Sequence, residues 1–286
     1  MLIIVGTFGR TAAYGQSEDG EGDEKTGDVS GADGESELLE VPEELLGDEH
    51  LREEFGVNGF TTPSIRKIFE DMAAFGKLPY AELKRDVPKS TPRDRIMLAL
   101  GLGGLIADGF LLVQSERIED IEDVGRALLK HAKALGAGAR VTRHTNSILE
   151  NSVTGDWDSL KRELAATQAD VEAAMVLLRD QEVAHLIALG GWLRAFEIAT
   201  VAAQNPYSEE KSRKLGRVDV AGYFAFSLEG LHPDLQEQVL VKSLREKLEA
   251  LRDRIDVPEG KSFSEEDVAE LRKMSRELVA LSENQK

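Results

Sequence analysis

Between residues 156 and 204 the spacing of apolar positions changes character. Trp157, Leu160, Leu164, Val171, Met175 and Leu178 recur at three- and four-residue steps, which line one face of a helix, and Asp156 is placed to cap its first turn. From Val183 to Ala203 the polar face nearly disappears in VAHLIALGGWLRAFEIATVAA, and a helix apolar on most of its circumference has to be enclosed by other helices. A second stretch of the same kind, RIMLALGLGGLIADGFLLV at 95–113, follows the start signal Thr91, Pro92 and Asp94. The pattern predicts an all-α fold: a multi-helix bundle over residues 60–286 with these two nearly all-apolar helices at its centre.

Amphipathic stretches supply the surrounding helices. Thr62 and Pro63 open a helix carrying Ile65, Ile68, Phe69 and Met72 that ends at Gly76, and a short piece follows Pro79. Arg117–Leu135 places Ile118, Ile121, Leu128, Ala132 and Leu135 inward, with an acidic first turn that suits the helix dipole. GAGA at 136–139 breaks that helix, Arg140–Val153 forms the next, and Gly155 stops it. Asn205 and Pro206 end the second core helix, and two short helices with Tyr223, Phe224 and Phe226 fit within Tyr207–Leu231. Pro233–Ile255 reads as one long helix with leucines in near-heptad register. Ser264 caps a last helix with Asp267 at its third position and Val268, Leu271, Met274, Leu278 and Leu281 inside. Residues 233–286 are thus a C-terminal helical hairpin, packed on the bundle or on a second chain. No strand is read beyond a short Leu2–Val5 run.

Either apolar helix passes for a membrane span on length. About ten Leu, Ile, Val and Phe in 95–113 at roughly −0.3 to −0.6 kcal/mol each are opposed by roughly +3 kcal/mol for Asp108 near the middle. Gly101, Gly103, Gly104 and Gly109 weaken the helix further, by up to about 1 kcal/mol each relative to Ala. Helix 183–203 carries His185, Arg194 and Glu197. A buried core pair is the reading, with no integral membrane span expected.

Charge separates the N-terminus from the rest. The chain of 286 residues carries a formal charge of −18, and residues 17–54 hold sixteen Asp and Glu against Lys25 and Arg52. Residues 17–59 therefore form an acidic, largely disordered segment whose side chains cannot offset the entropy of ordering. No calcium-loop register supplies both the glycine and the bidentate glutamate that an EF-hand needs. Residues 1–16 combine a short apolar run with small residues before a cut near Gly15, as in the back half of a secretory signal peptide, although Arg10 interrupts the run and no basic region precedes it. The expectation is a periplasmic or secreted protein, with the cytoplasm as the alternative. The absence of cysteine excludes disulfides and thiolate metal sites. With no basic run interleaved with aromatics, nucleic acid is not an expected partner.

Candidate chemistry sits on the core helices. Glu182 and His185 share a face three residues apart and form a Glu-x-x-His unit of the kind that helical bundles use to hold a metal. Such bundles need the unit twice, and the second occurrence, Glu229–His232, contains Gly230 and runs into Pro233. A hydrogen-bonded core histidine is therefore preferred and no cofactor is expected. Gly190, Arg194 and Glu197 form one strip and Gly101, Gly104 and Asp108 another, so the glycines are expected where the two core helices cross. Arg194 then either holds an anionic ligand beside Asp108 or pairs with Asp108 or Glu197 to lock register, the second being preferred. The GAGAR turn, with Arg140, Arg143 and His144, is a candidate anion site at a helix start. No Gly-x-Ser-x-Gly elbow or other nucleophile motif appears.

Two functional classes follow. The first is a non-enzymatic helical protein that binds a protein partner or self-associates through its C-terminal hairpin. The second is a bundle that binds a metal ion or small anion in its core, through Glu182, His185, Asp108 and Arg194, with or without enzymatic activity.

Overall fold

The computed structural model describes residues 73, 75–177, 181–258 and 260–283, all within one compact unit, Asp48–Lys286. The signal peptide expected at 1–16, the acidic segment 17–59 and most of the helix expected from Thr62 lie outside the described residues. The end of that helix is seen, because Gly76 adopts a φ of 76° and donates its N–H to the Ala73 carbonyl.

Among the described residues the regular structure is all helical, with no β-strand. In chain order the helices are α1 (Tyr80–Leu83), α2 (Arg95–Gln114), α3 (Ile118–Ala134), α4 (Gly138–Thr154), α5 (Trp157–Leu177), α6 (Gln181–Gln204), α7 (Glu209–Arg213), α8 (Val218–Glu229), α9 (Pro233–Gln236), α10 (Val239–Ile255) and α11 (Glu265–Glu283). The two apolar helices α2 and α6 form the most extensive pair and sit at the centre, with 89% and 94% of their apolar windows buried. Helices α3, α4 and α5 continue one side in sequence, α5 returning onto α2 and α6, while α11 packs on α6 and α2 from the other side.

Local chemistry sets most boundaries. Asp94 caps α2 by accepting the Met97 N–H at 2.8 Å, and Asp156 does the same for Ser159 at 3.0 Å ahead of α5. Ser264 and Asp267 exchange hydrogen bonds at 3.0 and 3.1 Å, a capping box with aspartate in the glutamate position. At the end of α3 the Ala137 N–H returns to the Ala132 carbonyl at 2.9 Å across Gly136, whose φ of 92° only glycine adopts freely. The same closure ends α2, where Glu116 takes the left-handed position at φ 55° and Arg117 donates to the Leu112 carbonyl.

Two expectations need correction. The long helix read over Pro233–Ile255 is divided: α9 is a single turn, and Gln238 is extended before α10 begins. The amide of Gln236 donates to the carbonyls of Glu229 and Leu231 at 2.8 and 2.6 Å, which ties this turn to the end of α8. The crossing of the core helices is made by Gly103 and Gly190 and not by Gly101 or Gly104. A β-carbon on Gly103 would lie 1.9 Å from the Ile187 carbonyl oxygen, and one on Gly190 2.1 Å from that of Leu100. Backbone packs directly on backbone there.

The C-terminal hairpin exists as α10 and α11, and it rests on this chain's own bundle. Helix α11 buries Val268, Leu271, Leu278 and Val279 largely against α6, and α10 buries Val241, Leu244, Leu248, Leu251 and Ile255 against α8 and α11.

Candidate ligand groove around the Asp108–Arg194 network

Gly101, Gly104 and Asp108 fall at three- and four-residue steps on α2 and share one face. Across that face runs an irregular strap, residues 84–94, which joins α1 to α2 and carries Pro88 and Pro92. Proline fixes φ and removes an N–H donor, so the strap enters no helix. Its first turn is held by α1: Lys84 reaches Asp120 of α3 at 2.8 Å, Tyr80 donates its hydroxyl to the same carboxylate, and the Arg117 guanidinium lies 4.9 Å from the centre of the Tyr80 ring. Hydrogen bonds from Lys84 and Tyr80 hold Asp120 below the usual carboxylate range.

Arg85, on the strap, turns inward over Gly104, where its guanidinium approaches to 3.0 Å from the position a β-carbon would occupy. Its Nε donates to Asp108 Oδ2 at 2.6 Å, while Arg194 Nε donates to Asp108 Oδ1 at 2.8 Å. Arg194 also donates to Glu197 and to the Leu83 carbonyl, each at 2.5 Å, and Arg85 meets Glu283 at the end of α11. Burial by itself would raise the Asp108 carboxyl, but the two guanidiniums outweigh it and hold Asp108 below its ordinary value. Strap, α2, α6 and α11 are thus joined through one buried aspartate.

Two cavities flank the strap and meet at Arg85. One, of about 640 Å³, lies against α3 and is lined by Tyr80, Lys84, Asp120, Arg126 and Lys130, with Asp108 and Lys89. The other, of about 680 Å³, lies toward α11 and is lined by Gly101, Gly104, His131, Gly190 and Arg194, again with Lys89. Together they carry six Lys and Arg against five Asp and Glu, in a chain whose formal charge is −18. Lys84, Arg85, Arg126 and Arg194 are paired with carboxylates. Lys89 and Lys130 have no ion-pair partner among the described residues.

The sequence-derived candidates separate in space. Asp108 and Arg194 come together, and Arg194 pairs with both Asp108 and Glu197. Glu182 accepts the His232 backbone N–H at 2.5 Å, so the two Glu-x-x-His units meet through backbone, and His185 Nδ1 lies 2.8 Å from the Tyr223 hydroxyl. Burial lowers the pKa of His185. Among the described residues no group of three or more His, Asp and Glu converges as metal ligands do. At the start of α4, Arg143 is 80% exposed and 3.9 Å from Asp170, and the Arg140 side chain lies outside the described residues. His144 is buried instead, with its ring nitrogens 2.7 and 3.0 Å from Glu163 and Asp170.

Sequence reasoning missed Arg85, which sits in a segment without periodicity, and His131. The latter had a signal: it continues the inward face of Ile121, Leu128 and Leu135 at steps of three and four. Comparison of the chain with protein-family models, with curated proteins and with solved structures finds no match.

Proposed function

We propose that this protein binds a small anionic molecule in the groove beneath the 84–94 strap. The observation that carries this reading is a pair of cations, Lys89 and Lys130, that have no ion-pair partner among the described residues and line a cavity whose other Lys and Arg side chains pair with carboxylates, with Asp86 and Asp123 also in its wall. Lys89 belongs to both cavities, so an anion held there also ties the strap to the bundle. Gly101 leaves room on the floor, while the Arg85 guanidinium covers Gly104. Lysine is a suitable point charge for a phosphate or carboxylate, and with Arg85 and Arg194 committed to Asp108 the anion is expected to rest on the two lysines.

The test is thermal unfolding of the full chain with inorganic phosphate, succinate, L-malate or glycerol 3-phosphate. A ligand at about 100 times its Kd adds about 2.7 kcal/mol to stability, which for a domain of this size raises Tm by roughly 5 to 10 °C. At least one of these anions is expected to do so, and the shift is expected to vanish in Lys89→Glu/Lys130→Glu. No shift with any of them, or a shift of equal size in the double variant, contradicts the reading.

A second reading, self-association, is favoured by Phe226 on α8 and Val239 on α10, 64% and 82% exposed on helices that pack together. Sedimentation of the wild type against Phe226→Ser/Val239→Ser tests it, a dimer lost in the variant being the expected result.

A further inference from the structure

We infer that the molecule bound beneath the strap is a hydroxylated anion, and that His131 is the residue that reads its hydroxyl group. This rests on the anion-binding reading of the same groove and adds the class of ligand to it.

His131 is 1% exposed. Its Nδ1 lies 2.8 Å from the carbonyl oxygen of Ala127, one turn back on α3. A carbonyl only accepts, so Nδ1 carries the proton, and Nε2 of the neutral ring is left as an acceptor. Burial lowers the pKa of the ring, in keeping with that neutral form. Among the described residues Nε2 has no hydrogen-bond partner. It is turned to α2 at Gly101, where Nε2 and Cδ2 both lie 3.5 Å from the place of an absent β-carbon, and both residues line the cavity. Any other residue at 101 would put a side chain over this edge of the ring. A histidine serving only the core has its second nitrogen matched, because an unmatched buried polar atom is costly. Here the nitrogen has no partner among the described residues, and the ring lines a cavity that a ligand can enter.

The spacing defines the ligand further. Gly101 and Gly104 are successive positions on one face of α2, about 4.5 Å apart along the axis at 1.5 Å per residue. His131 stands over the first and Arg85 of the strap over the second, with Lys89 following on the strap. A donor seated on Nε2 thus shares a cavity with Lys89, a strap cation without an ion-pair partner among the described residues, whereas Lys130 lines the neighbouring cavity. Small hydroxy acids and phosphorylated polyols carry a hydroxyl and an anionic group together. A fixed acceptor also rejects the analogue that lacks the donor, since the deoxy compound leaves Nε2 buried and unmatched.

The experiment is calorimetric titration of the full chain at pH 8 with two pairs of probes, L-malate against succinate and glycerol 3-phosphate against propyl phosphate. In at least one pair the hydroxylated member is expected to bind about tenfold more tightly. In His131→Phe that preference is expected to fall to near parity, with the affinity of the deoxy probe kept or raised, since no ring nitrogen is left to be stranded. Equal affinities within both pairs in the wild type overturn the role of His131 and leave the anion reading standing. Failure of all four probes to bind overturns both. Should His131→Phe not fold, histidine ¹⁵N spectra of the wild type decide: Nε2 of His131 is expected to shift with the hydroxylated probe and not with its deoxy partner, and an unmoved signal with both overturns the inference.

Discussion

Asp108 is the residue on which the site's electrostatics turn. A carboxylate inside an apolar helix is costly unless paired, and here one aspartate accepts from two arginines that arrive from different elements. Half of this arrangement was legible in the sequence, because Asp108 and Arg194 are isolated charges on helices otherwise apolar. Arg85 was not, since nothing in the composition of a proline-bearing loop tells an inward arginine from a solvated one. Removal of Asp108 leaves Arg85 with Glu283, and Arg194 with Glu197 and the Leu83 carbonyl, so the loss is partly compensated. Asp108→Ala is expected to cost about 3 kcal/mol in urea unfolding, the lower end for a broken buried pair. Asp108→Leu/Arg194→Met is expected to cost less than the sum of its single changes, by roughly 0.5 to 3 kcal/mol, because each single change strands the other charge. Strict additivity would mean that the two side chains do not stabilise one another.

At the scale of the helix, caps and stops could be read directly. Asp94, Asp156, Ser264 with Asp267, Gly136 and Gly155 act where their chemistry places them. Glycines inside a helix are harder, since their spacing shows which face they share and not what lies opposite. Gly103 and Gly190 meet backbone, Gly104 meets the flexible end of Arg85, and Gly101 meets the edge of His131. The missing β-carbon thus closes a helix crossing in one place and borders a cavity in another. Gly103→Ala and Gly190→Ala are each expected to destabilise by about 1 to 3 kcal/mol or more, as overpacked sites do. Gly101→Ala has room at 3.5 Å and gains up to about 1 kcal/mol of helix propensity, so its melting temperature is expected to stay level or rise. Equal losses at all three positions would contradict the division between crossing and groove.

For the whole molecule, periodicity was sufficient to foresee the all-α class, the two enclosed helices and the C-terminal hairpin, because apolar faces three and four residues apart must be buried against something. The groove was beyond its reach. A cavity belongs to several elements at once, and this one is bounded by a strap that has no repeat to follow. The claim that it is a ligand site is tested most directly by amide chemical-shift mapping on the full-length, ¹⁵N-labelled protein during titration with L-malate or glycerol 3-phosphate. Shifts are expected to concentrate on residues 84–92, on Gly101 to Leu105 of α2 and on Ala127 to His131 of α3. Shifts confined to the surface of α8 and α10, or none at millimolar ligand, would contradict it.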